Sequence, residues 1–410
     1  MNMRVVGNYF PCAVAFMVLA IGSQQDAFGV SLPDITSNVK FEPPSIATNS
    51  FGWAIDSVNG KTLVGTGRHA YIYDTASKQE LLRLDGGASG FGRAVALTDD
   101  YALVGNNSAQ SAYVFNAHTG KRIRTFIDPN APPTFGFGFG GHVALDGDIA
   151  LIGDTSDDAR GSDAGAAYVY RISTGQLVRT LYPPSPFGIV QYGSGVDIKG
   201  DVMVVGARGA SGGPNAGAAY VYSVSTGNLL HTLYPTQSSG DFGTEVAISG
   251  NRVMVGQTVG NHGAAYLFDL GTGELLRKFV SPNPENDEAF GFSIDFDGSR
   301  AIIGSFEEYH NGKNSVGAAY LYDVDTGALL SSWVPSELGA GGEDFGFGVA
   351  LDGNFILAST AGDSSHPGSV YVTAIPEPYP LFLSCVAFAG VIIAIGRRPP
   401  APGRNSRDAS

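Results

Sequence analysis

Cysteine is almost missing from this 410-residue chain: Cys12 and Cys385 are its only two, and each lies in an apolar segment near one end. A body folded between them can contain no disulfide, so packing alone must hold it together. Charge is sparse at 15% of residues, and 24 basic side chains face 38 acidic ones, leaving a net charge of −14. Phosphate backbones are held by basic patches, so nucleic acid is excluded as a partner. No apolar run reaches the ~20 residues of a comfortable membrane span. Helical periodicity is lacking, and His69, His118, His142, His231, His262, His310 and His366 include no i, i+4 pair and no metal-ligand spacing.

Glycine, by contrast, is abundant at 57 residues, and it is placed with a period. An aromatic-Gly pair recurs as Phe51-Gly52, Phe91-Gly92, Phe139-Gly140, Tyr192-Gly193, Phe242-Gly243, Phe290-Gly291 and Phe345-Gly346, at intervals of roughly 40 to 55 residues. Each pair opens an apolar strand, which turns at a glycine (Asp146-Gly147 or Asp352-Gly353) into a second. A third strand carrying Gly-Ala-Ala-Tyr (from Gly165, Gly217, Gly263 and Gly317) turns at Thr-Gly into a fourth. Seven such units predict an all-β fold, a seven-bladed β-propeller of four-stranded antiparallel blades spanning residues 30–374. Recurrence of the tyrosines and phenylalanines at strand positions assigns them to the core between blades.

The last unit has three strands, ending at Val370-Tyr371-Val372. Val39-Lys40-Phe41-Glu42 near the start has the character of an outer strand. It is expected to close the last blade, which removes an open sheet edge and ties the two ends of the domain together.

Residues 1–29 have the form of a secretory signal: Arg4, an apolar run from Cys12 to Ile21, and Ala27-Phe28-Gly29 as the cleavage site. At the other end Ile375-Pro376-Glu377-Pro378 precedes the apolar stretch Leu381 to Ile395, then Arg397-Arg398, then a tail over 399–410. Fifteen helical residues extend about 22 Å against a core of roughly 30 Å, a marginal span whose arginines would stay in the cytoplasm. The arrangement over 375–398 resembles the PEP-CTERM sorting signal of Gram-negative bacteria. The resemblance implies that Pro376, Glu377 and Pro378 are recognised by an exosortase-like membrane protease. It also implies export, transient anchoring in the inner membrane, and delivery to the cell surface or extracellular matrix, often alongside exopolysaccharide. The tail beyond the arginines departs from the usual pattern.

The repeat itself resembles the FG-GAP repeat of the integrin α-subunit head and of many bacterial surface proteins, over about residues 51 to 372. The "GAP" half is loosely kept, with Gly206-Ala207 closest. Integrin-type repeats hold calcium in a loop between strands one and two, where this chain has only tight turns. The acidic loop Asp154, Asp157, Asp158 and Asp163 is the one weak calcium candidate. Gly136, Gly138 and Gly141 match a phosphate-loop spacing, and Gly209, Ser211 and Gly213 a nucleophile elbow, but neither sits at a strand-to-helix junction.

Alternating strand direction sends the variable loops to one face. That face is expected to display Asp85, Asp128, Asp154, Asp157, Asp158, Asp163, Asp241, Glu285, Asp287, Glu288, Glu307, Glu308, Glu337, Glu343, Asp344 and Asp363 against Arg68, Arg160, Arg208 and Lys313. The expectation is a non-catalytic binding or structural propeller, with exopolysaccharide or a surface protein as partner. The alternatives are a propeller lyase or glycosidase with carboxylates at its central channel, and a calcium-dependent adhesion protein.

Overall fold

The computed structural model describes residues 39–41 and 50–375, apart from 88, 131–137, 185–189, 210–216, 237–239, 259–262, 285–288, 310–314, 337, 339–342 and 363–367. The processing residues Ala27, Gly29, Pro376, Glu377, Pro378, Arg397 and Arg398, and the apolar stretch 381–395, lie outside this set. Among the described residues no helix is long and apolar enough to cross a membrane.

Seven four-stranded antiparallel sheets follow one another around a ring. Blade 1 runs through Ile55–Val58, Lys61–Gly65, His69–Asp74 and Glu80–Asp85. Blade 2 comprises Phe91–Leu97, Tyr101–Asn106, Ser111–Asn116 and Arg122–Ile127. Blade 3 comprises His142–Asp146, Ile149–Asp154, Ala166–Arg171 and Gln176–Leu181; blade 4, Tyr192–Lys199, Val202–Ala207, Ala218–Ser223 and Leu229–Leu233. Blades 5 and 6 begin at Phe242–Ser249 and Phe290–Phe296 and end at Leu275–Phe279 and Leu329–Trp333. Blade 7 takes Val349–Asp352, Phe355–Ser359 and Val370–Ala374 from the end of the domain, and its fourth strand, Lys40–Phe41, from the beginning.

No blade has a core of its own. The buried apolar side chains gather into seven clusters, and each cluster spans two adjacent blades. A twisted sheet in a propeller shields its faces only against its neighbours, so this division follows from the architecture. The aromatic of each aromatic-Gly pair is fully buried, as are Tyr168, Tyr266, Tyr320 and Tyr371 on the third strands. Ring centroids of Phe139 and Tyr168, Phe242 and Tyr266, and Phe345 and Tyr371 are each 5.5 Å apart, within the range where offset and edge-to-face pairs attract.

The expected closure is present and brief. Lys40 pairs with Tyr371 and Phe41 with Val370, and the Val372 N–H donates to the Val39 carbonyl at 2.9 Å. Phe41 is fully buried and meets Tyr73 of blade 1 at 4.9 Å, which is the place that Phe126 takes against Tyr170 between blades 2 and 3. One side chain thus supplies both the outer layer of blade 7 and the seal onto blade 1. Phe41→Ala is expected to destabilise the protein by roughly 3–5 kcal/mol, whereas Lys40→Ala changes little. Thermal unfolding of the two variants measures this, and an unchanged melt for Phe41→Ala would refute the closure.

Candidate functional site

The innermost strand of each blade lines the central channel, a cavity of about 340 Å³. The internal repeat supplies its own alignment here. The third residue after each aromatic-Gly pair is Ile55, Val95, Val143, Val196, Val246, Ile294 or Val349, always β-branched. These side chains fit the pleated surface against the neighbouring blade. The fourth residue is Asp56, Ala96, Ala144, Asp197, Ala247, Asp295 or Ala350. Aspartate therefore occurs in blades 1, 4 and 6, each time followed by a blade that carries alanine.

Geometry explains the pairing. The Oδ1 atoms of Asp56, Asp197 and Asp295 accept from the next N–H in their own strand, at Ser57, Ile198 and Phe296, over 2.7–2.8 Å. Their Oδ2 atoms accept from the N–H of Leu97, Ile248 and Leu351 on the following blade, over 2.6–2.7 Å. An innermost strand is a sheet edge with unpaired amides, and each aspartate satisfies one of them across the blade boundary. Burial raises these carboxyls, Asp56 to about 6 and Asp197 and Asp295 to about 7, while the backbone donors pull the other way.

Two more titratable groups project from the second residue after the pair, Glu245 in blade 5 and His142 in blade 3, where the other blades carry Ala, Gly or Ser. Burial, and then the charge of Asp197, raises Glu245 to about 8, so it is largely protonated at neutral pH. Burial and the nearby Arg208 and Arg93 lower His142 to about 3, so it is neutral.

The mouth on the loop face differs again. Arg93 and Arg208 both line it, and Arg93 stacks on Trp53 with 4.9 Å from its guanidinium to the ring centroid. The Trp53 indole is fixed by its Nε1–H to the Gly362 carbonyl at 3.3 Å, and the Arg208 Nε–H donates to Gln191 Oε1 at 2.9 Å. Opposite chemistry comes from blades 6 and 7. Phe292, Phe306 and Phe347 form a half-buried trio with centroids 4.5–5.5 Å apart.

A second cluster lies at the outer edge of the boundary between blades 2 and 3. Asp128, Asp154 and Asp157 bring carboxylate oxygens within 4.8 Å of one another and are 6%, 2% and 3% exposed. Asn130 Nδ2 donates to Asp157 and to the Tyr168 hydroxyl at 3.1 Å each, and the Tyr168 hydroxyl donates to Asp157. The same scaffold recurs between blades 5 and 6 as Asn283, Glu308 and Tyr320, but there Ser281 and Ser305 replace Asp128 and Asp154.

The sequence grouping of four acids is therefore corrected. Asp154 and Asp157 converge with Asp128 from the preceding blade, while the Asp158 carboxylate accepts from the Asp163 N–H in the exposed part of the loop. The expected acidic display holds only in part: Asp128, Asp154, Asp157 and Glu308 are buried, whereas Asp85, Asp158 and Glu307 are exposed. Three carboxylates could hold a cation, although a calcium shell needs six to eight oxygens.

These features define the class of the protein: a closed seven-bladed β-propeller with a polar central channel and a loop-side mouth of mixed cationic and aromatic character. The FG-GAP repeat family model matches residues 136–170, 190–222 and 275–322, which fall on blades 3 to 6. FG-GAP repeats thus recur within this seven-bladed propeller. No curated protein matches its sequence.

Asp154 gives a pH test. Burial, and then the charge of Asp128, raises its folded-state value to about 7, above the ordinary 3.8. The folded protein therefore holds this proton while the unfolded chain releases it, and stability falls as pH rises from about 4 to about 7. Asp154→Asn removes this loss. In chelator, its stability gain over the parent should grow by about 2–4 kcal/mol between pH 4 and pH 8; a gain independent of pH in denaturant titrations would disprove the assignment.

Proposed function

We propose that this chain is an exported, non-catalytic binding propeller of the cell surface or extracellular matrix. On this reading it is delivered by the signal at residues 1–29 and sorted through Pro376-Glu377-Pro378 by an exosortase-like protease. The observation that carries the non-catalytic part is the state of the channel carboxyls. Glycoside chemistry needs a general acid and a second free carboxylate. Asp56, Asp197 and Asp295 are each occupied by two backbone N–H donors, which leaves Glu245 without a carboxylate partner for that task. A binding role is supported by the loop-side mouth, whose concave cationic and aromatic wall is the feature that departs most from the repeat.

Mass spectrometry of the protein recovered from its native cell tests the itinerary, with termini expected near Val30 and at the Pro-Glu-Pro. A mature species that keeps both ends would refute it. Incubation with uronate and neutral glycans tests the rest. No new reducing or unsaturated ends should form, and turnover abolished by Glu245→Gln would establish the enzyme reading instead.

Calcium-dependent adhesion is a second reading, favoured by the convergence of Asp128, Asp154 and Asp157. It expects the melting temperature to rise in millimolar calcium over EDTA through ligand linkage, and Asp154→Asn to abolish the rise. Equal melts in calcium and EDTA would remove the structural-ion form of it.

A further inference from the structure

We infer that the loop-side mouth of the channel binds a uronic-acid sugar, its carboxylate held between Arg93 and Arg208 and its ring set against the Phe292–Phe347 wall. The inference rests on the binding reading above and names the ligand class of that site.

Four observations lead to it. The first is an uncompensated pair of guanidinia. Arg93 and Arg208 are half-buried, and among the described residues neither has a carboxylate within salt-bridge distance. Burial, and then the charge of Arg208, depresses Arg93. The acid deeper in the channel does not relieve them, since Glu245 is influenced by Asp197 and Asp295. Two like charges sharing a concave, partly desolvated wall are stabilised by an anion, and guanidinium forks match a carboxylate.

The second observation limits how many negative charges the ligand carries. The chain has a net charge of −14, so a polyanion is repelled on approach, and among the described residues two arginines stand at the mouth to offset that repulsion. A ligand with one carboxylate per bound unit fits this balance. The third concerns the polar groups below the arginines. His142 and Glu245 are the non-small side chains of their ring; at neutral pH burial keeps His142 neutral and Glu245 largely protonated. Neutral donors and acceptors suit hydroxyls and would leave a second ionic group unpaired. The fourth is the apolar wall, since Phe292 and Phe347 line the cavity and Phe306 packs against both. One carboxylate, several hydroxyls and a flat apolar face together describe a uronate.

The test uses the full mature propeller and D-glucuronate or digalacturonate as probes. Trp53 is the reporter, because the other tryptophan, Trp333, is fully buried. Saturable quenching is expected and should vanish in Trp53→Phe, with calorimetry confirming that this variant still binds. The methyl ester of the same sugar, and Arg93→Gln or Arg208→Gln with unchanged melting temperature, should each bind about tenfold more weakly. Arg93→Lys should recover part of the loss.

Failure of both uronates to bind would overturn the inference. So would acetate or sulfate binding as tightly as the uronates, which would make the mouth a bare anion site. Equal affinity for the free acid and its ester would also overturn it while leaving a glycan-binding propeller in place. Cleavage of the probe would instead defeat the binding reading itself. The ester comparison uses the unmutated protein, so the inference stays testable if an arginine variant does not fold.

Discussion

The ring depends on one close approach of backbone to backbone. At six blade boundaries a strand-two glycine (Gly65, Gly105, Gly153, Gly206, Gly256 or Gly304) faces the carbonyl of the next aromatic-Gly glycine, and a Cβ on it would lie 2.0–2.2 Å from that oxygen. The facing glycines hold φ between +79° and +95°, a region that penalises any other residue. At the seventh boundary Ser359 meets Gly52, and a Cβ on Gly52 would lie 3.1 Å from that of Ser359. The approach is no looser there, since a Cβ on Gly368 of blade 7 would lie 1.8 Å from the Phe51 carbonyl oxygen. The inner ends of the blades are thus pressed together without side chains, while the outer ends are held apart by Phe126, Phe279 or Phe41. This wedge turns seven sheets into a ring.

Pressing the inner strands together creates an electrostatic problem along with the channel. Edge amides face a narrow polar space, and Asp56, Asp197 and Asp295 satisfy three of them across blade boundaries. Alanine in the next blade leaves room for each carboxylate, and no two aspartates occupy adjacent blades, which limits their mutual repulsion. Their raised values add to those of Glu245 and Asp154, so these five groups favour the folded state most below about pH 4 and progressively less as pH rises toward about 8. The surface turns oppose this. Asp74, Asp201, Asp269 and Asp323 are lowered by turn N–H and hydroxyl donors, and they favour folding as pH rises.

The fold was legible in the sequence because its determinants are local and repeated. Aromatic-Gly pairs, Asp-Gly and Thr-Gly turns and Gly-Ala-Ala-Tyr strands each lie within a few residues, and the missing fourth strand of the last unit pointed to Phe41. The site was not legible in the same way. Arg93 and Arg208 lie on different blades and line one cavity only when the ring closes, so reading along the chain leaves Arg208 as a lone base in a glycine-rich loop. Asp154 and Asp157 stand beside Asp158 and Asp163 in sequence. Their spatial neighbour is Asp128, which arrives from the end of blade 2. Stacking the seven units would have exposed the aspartates at the fourth position of blades 1, 4 and 6, a signal that a linear reading passes over.

That stacking also separates scaffold from function within a single strand. The third position after each pair is always Ile or Val, because it must fit between blades. The first position is Trp53, Arg93, Gly141, Ser194, Thr244, Phe292 or Phe347, in which only phenylalanine recurs. Inter-blade packing fixes the former, whereas the latter varies from blade to blade even where it meets the next one, as Ser194 Oγ does in donating to the Gly243 carbonyl. A symmetric ring of seven like units would present seven like groups to the channel and could distinguish little beyond charge and size. Here the departures from symmetry are grouped, with cations on blades 2 and 4 and aromatic rings on the consecutive blades 6, 7 and 1. An opening with two chemically distinct walls fixes the orientation of what enters, and orientation is what converts a hole through a propeller into a selective site.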